Sequence, residues 1–92
     1  MTELPEPPTA VRPEDVLPAG AESATFGGVE IRKGTVAAFI ANARLLDTLA
    51  PGTPEATRVE HQVRALAPDL RALGLLEVCT VRSPRVAALL DG

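Results

Sequence analysis

The chain has 92 residues, 46% of them hydrophobic, with a formal net charge of −3 and a pI near 5.0. That is room for one domain, and the acidity argues against a strongly basic nucleic-acid module. One Cys and one His exclude an internal disulfide and a Cys/His zinc cluster, and no apolar run approaches the roughly 20 residues of a membrane-spanning helix.

Residues 1–23 differ in kind from the rest. They hold five of the nine prolines (Pro5, Pro7, Pro8, Pro13, Pro18) and five acids against the single base Arg12. Such a segment buries too little apolar surface to offset chain entropy, so a disordered or extended Pro-rich acidic leader is expected. Pro5-Glu6-Pro7-Pro8 has the composition of a polyproline II ligand, although a solubilising tail is the simpler reading. Val16 and Leu17 are the residues that could anchor the leader on the domain. Met1 to Pro8 has neither a basic n-region nor an apolar h-region. No secretory signal is therefore expected, and the expected location is cytoplasmic.

Residues 24–92 read as a single small α+β domain, with eight bases against seven acids. Ala24 to Arg32 contains two short strand-forming runs around Gly27-Gly28, the residues a two-residue hairpin turn demands. Gly34 then breaks the strand and Thr35 is the expected N-cap of a helix over Val36–Leu49. Val36, Phe39, Ile40, Ala43, Leu46 and Ala50 form its apolar stripe, and Pro51-Gly52 ends it. A second amphipathic helix starts at Thr53-Pro54-Glu55, with Thr53 as N-cap and Pro54 in the first turn. Its stripe is Ala56, Val59, Val63, Leu66, Leu70 and Leu73, and it runs through Pro68 in unbroken phase. That phase predicts either a kink at Pro68 or two helices meeting end to end. Gly74 is placed to close the helix in the left-handed conformation.

Leu75 to Val81 has the β-branched content and the length of a third strand, which could join the hairpin. Ser83-Pro84 opens a short C-terminal helix carrying Val86, Leu89 and Leu90. The expected fold is thus α+β: two main amphipathic helices, a short hairpin that Leu75–Val81 could extend to a two- or three-stranded sheet, and a last short helix.

Three stretches carry a resemblance: Gly34-Thr35-Val36 opening a helix, Ala65-Leu66-Ala67-Pro68-Asp69-Leu70 inside a later one, and the Gly74-Leu75-Leu76 exit. Over about residues 28–78 the chain resembles a group of small bacterial proteins of unknown function. The resemblance implies a compact bacterial domain and supplies no catalytic residue, substrate or cofactor. Eight Arg against one Lys, with 15 Ala, is consistent with a GC-rich genome.

No residue cluster names a reaction. His61 falls opposite the apolar stripe of its helix, its sequence neighbours Glu60 and Gln62 do not face it, and it reads as an exposed spectator. Cys79 reads as a structural thiol in the third strand. Glu60 and Arg64 are spaced as an i,i+4 surface pair. Walker, GxGxxG, GxSxG and HExxH motifs do not occur. No catalytic, metal or cofactor residue is assigned.

The candidate binding feature is Arg32-Lys33-Gly34-Thr35, two cations and a glycine leading into a helix N-terminus that could hold an anion. A plain strand-to-helix turn is the simpler account of the same residues. Arg58, Arg64 and Arg71, with Arg82 and Arg85, could form a basic edge. The expectation is a non-enzymatic protein-interaction module, binding a protein partner or a second copy of itself. The alternative is a nucleic-acid-associated regulator working through the Arg-bearing helix face.

Overall fold

A computed structural model describes residues 10–91, so the Pro5-Glu6-Pro7-Pro8 motif lies outside the described residues. The fold is small α+β. Its elements are α1 (Pro13–Val16), β1 (Ser23–Phe26), β2 (Val29–Arg32), α2 (Thr35–Leu46), α3 (Pro54–Leu73), α4 (Leu75–Val78) and α5 (Pro84–Asp91).

Within the leader, residues 13–16 form one helical turn where extended chain was expected. Pro13 opens the turn, and the Asp15 carboxylate accepts a hydrogen bond from the Arg12 backbone N–H at 3.0 Å and from its guanidinium at 3.1 Å. Leu17, just after this turn, is half-buried in a hollow lined also by Val16, Phe26, Ile31, Thr35 and Leu73. The anchoring role considered for Val16 and Leu17 therefore falls mainly to Leu17.

The hairpin pairs Ser23 with Arg32 and Phe26 with Val29, one residue longer at its start than expected. Gly27 (φ +53°) and Gly28 (φ +81°) take the two positive-φ positions of the turn, where a side chain would be strained. Ile31, buried on β2, is the hairpin's contribution to the interior.

Helix α2 begins and ends earlier than expected. Gly34, not Thr35, is its N-cap, at φ +86°. Thr35 is already helical and buried, and its hydroxyl donates to the Arg32 carbonyl at 2.7 Å, tying helix to strand. At the far end Asp47 and Thr48 turn the chain after Leu46, three residues short of Leu49. Helix α3 follows its sequence signals closely. The Thr53 hydroxyl accepts from the Ala56 N–H at 3.2 Å, and Gly74 caps the other end at φ +84°. Pro68 does not divide it: α3 is one helix of 20 residues, with Pro68 exposed and Ala67 buried beside it.

No third strand exists among the described residues. Leu75–Val78 is a helical turn, and Cys79 to Val81 follows with neither helix nor strand. Among the described residues the sheet has two strands. The physical reason is burial: Leu75, Leu76 and Val81 pack on the helical core, which a strand on the hairpin edge would have forgone. Cys79 is consequently exposed and not a buried structural thiol.

The core is helical. Helix α2 packs on α3, and α3 packs on α4, α5 and β2. Phe39, Leu46, Ala56, Val59, Val63, Ala67, Leu70, Val86 and Leu90 form the buried cluster. Among the described residues no helix is long and apolar enough to cross a membrane.

Candidate functional site

The apolar stripe of α2 is wider than the one helix that covers it. Phe39 and Leu46 face α3 and are buried, while Val36 is 37% and Ile40 48% exposed. These two, with Phe39 and Ala43, form one wall of an open groove of about 420 Å³. Leu75 and Leu76 of α4 and the segment Cys79–Ser83 form the other. The floor is almost wholly hydrocarbon, and the charges at its mouth are Arg44, Asp47 and Arg82.

Two side chains hold the groove's lower end together. The Ser83 hydroxyl accepts from the Val86 N–H at 3.2 Å, capping α5, and donates to Asp47 Oδ1 at 2.8 Å. Arg85 Nη1 donates to the carbonyls of Leu46 at 2.8 Å and Leu49 at 2.6 Å, satisfying acceptors at the end of α2. Arg85 Nη2 lies 3.8 Å from Glu60 Oε2 and makes no hydrogen bond within the described residues. Glu60 therefore turns toward α5, and the expected surface pair with Arg64 is not formed.

The candidate anion corner is present but engaged. Lys33 Nζ stands 3.2 Å from Glu22 Oε1, and the Lys33 N–H donates to the Glu22 carbonyl at 2.7 Å. The Thr35 hydroxyl points inward to Arg32. Arg32 and Gly34 remain exposed. A carboxylate of this chain thus already stands on one of the two cations.

The basic edge is dispersed in the same way. Arg71 donates from Nη2 to the Leu90 carbonyl, Arg58 lies 3.8 Å from Glu55, and Arg85 is drawn into the helix junction. Arg64 and Arg82 stay exposed. His61 is exposed on α3, as its phase predicts. Among the described residues no group of three or more His, Cys, Asp or Glu is placed to hold a metal ion. The groove lining contains no imidazole to activate the Cys79 thiol.

Sequence reasoning placed Val36 and Ile40 in the core and missed the groove. The available signal was the breadth of the α2 stripe, since a single neighbouring helix covers only part of so wide a face. The chain matches no family model, no curated protein and no solved structure.

Proposed function

We propose that the chain is a non-enzymatic protein-interaction module that docks its partner in the groove between α2 and the α4–α5 connection. The observation that carries this reading is the exposed pair Val36 and Ile40, at 37% and 48%, opening onto a hydrocarbon floor with charges only at its mouth. Contiguous exposed apolar surface rimmed by polar groups is the usual character of a docking site. A bacterial cytoplasm is the setting we infer, from the resemblance and from the Arg- and Ala-rich composition. Nucleic-acid binding through the Arg-bearing edge of α3 and α5 draws less support, because Arg71 and Arg85 donate to backbone carbonyls within the fold.

The test is selection of ligands from a random-peptide display library against the full chain. Enriched peptides are expected to lose at least about tenfold in affinity against Ile40→Asp, about 1.4 kcal/mol. The melting temperature of that variant should stay within a few degrees of the parent, because Ile40 is already half in water. Binders indifferent to Ile40→Asp, or no binders at all, would refute the assignment of this groove.

A further inference from the structure

Resting on that docking reading, we propose that the occupant is an extended polypeptide segment, apolar on one face and flanked by carboxylates, that adds as a strand along Thr80–Arg82. The two walls of the groove differ in kind. On the α2 side every backbone group between Thr35 and Leu46 belongs to a helix, and only side chains are on offer. On the other side the chain leaves α4 with Cys79 in extended conformation, φ −129° and ψ 147°. Thr80, Val81 and Arg82 make no backbone hydrogen bond to any described residue. Thr80 and Arg82 are exposed and Val81 is half-buried, so the stretch lies at the surface, where a partner can approach it.

Thr80 and Val81 end the Leu75–Val81 stretch whose β-branched residues predict a strand, and no described strand pairs with them. A row of open backbone groups on strand-prone sequence is a template for strand addition. A partner strand would satisfy that row with its own backbone and send alternate side chains down onto Ile40, Ala43 and Leu76. A helical partner would satisfy its own backbone and leave the row to water.

Charge decides the flanks. Among the described residues neither Arg44 nor Arg82 makes an ion pair, and the Asp47 carboxylate of the same groove accepts a hydrogen bond from the Ser83 hydroxyl. The groove mouth therefore carries two guanidinium groups against one carboxylate, a net positive charge that favours carboxylates and disfavours ammonium groups.

The experiment uses the full chain, isotope-labelled, and four synthetic peptides. One has alternating Val and Thr flanked by Glu pairs. The second replaces Glu by Lys, and the third is the Glu peptide N-methylated at alternate amides. The fourth is a Leu/Ala/Glu peptide that folds as an amphipathic helix. The Glu-flanked extended peptide is expected to bind and to slow amide hydrogen exchange at Thr80, Val81 and Arg82. The Lys-flanked and N-methylated peptides should each bind at least about tenfold more weakly, and Arg44→Glu with Arg82→Glu should invert the charge preference. Equal binding of the N-methylated peptide, or tighter binding of the helical one lost on Ile40→Asp, would overturn strand addition and leave the docking groove standing. A dimer of the chain alone that Ile40→Asp dissolves would overturn it too, by showing a second copy in the groove. Failure of all four peptides at millimolar concentration overturns this inference. The docking reading falls only if the display selection also fails.

Discussion

Arg85 shows how one side chain can join three helices. It sits on α5, donates to the carbonyls of Leu46, the last residue of α2, and of Leu49 in the turn beyond, and approaches Glu60 on α3. Charged hydrogen bonds of this kind contribute about 1.5–3 kcal/mol, and the Arg85 side chain is only 26% exposed. Arg85→Ala should therefore cost about 1–3 kcal/mol in urea unfolding. Glu60→Gln should cost less than about 1 kcal/mol, since the pair is long and partly in water. If the two variants lost equal stability, the ion pair and not the helix-end carbonyls would be the working contact. Asp15 carries a pH-dependent contribution of local reach. Hydrogen bonds from the Arg12 guanidinium, and then from the Arg12 backbone N–H, hold its carboxyl below the ordinary aspartate value. A lowered folded-state pKa gives a contribution that is present above the usual value of about 4 and is lost as the pH falls through the lowered value. The amide signals of Arg12 and Asp15 should move together in that acid range while those of α3 stay still, and Asp15→Asn should abolish the movement.

At the level of elements, what the chain announces is its punctuation. Thr53-Pro54 and Gly74 bound α3 as their chemistry requires, and Gly27-Gly28 centres the hairpin in register. These signals are legible because each rests on one residue's own backbone or capping chemistry. The failures are tertiary. Val, Cys and Thr around Cys79 suit a strand, but burial of Leu75, Leu76 and Val81 on the helices outweighs that preference. Thr35 could have capped α2, but its hydroxyl is drawn to the Arg32 carbonyl, and Gly34 takes the cap. The groove was legible only as surplus width of the α2 stripe: no residue pattern says which part of a broad apolar face will be left uncovered. Pro68 offers a test at this scale. Being exposed within a continuous helix, it contributes no packing to the core and denies the Arg64 carbonyl its partner. Pro68→Ala should stabilise the protein by about 1–3 kcal/mol, the helix penalty of proline less its stiffening of the unfolded chain. Destabilisation instead would mean that a proline bend is needed for α3 to reach both α2 and α5.

Across the whole molecule, apolar burial falls into two unequal seats joined through α3. The larger is the helical cluster around Leu46, Val63, Leu70 and Val86, all fully buried. The smaller is the hollow where Leu17 and Ile31 meet the start of α2 and Leu73. Only the larger closes its side chains off completely, so it should govern global unfolding, and the smaller should open first. Leu70→Ala is expected to cost about 2–5 kcal/mol, the range for truncating a closed core site. Leu17→Ser, at a half-buried site, should cost about 1 kcal/mol, and His61→Ala should stay within about 0.5 kcal/mol. Native-state hydrogen exchange distinguishes the seats directly. Leu17→Ser should speed exchange of the hairpin amides of Ala24 and Ile31, a hydrogen-bonded pair of the ladder, while leaving those of Val63 and Leu70 near their parent rates. Uniform acceleration across hairpin and helices would show a single cooperative unit, with the Leu17 turn as much a part of its core as Leu70.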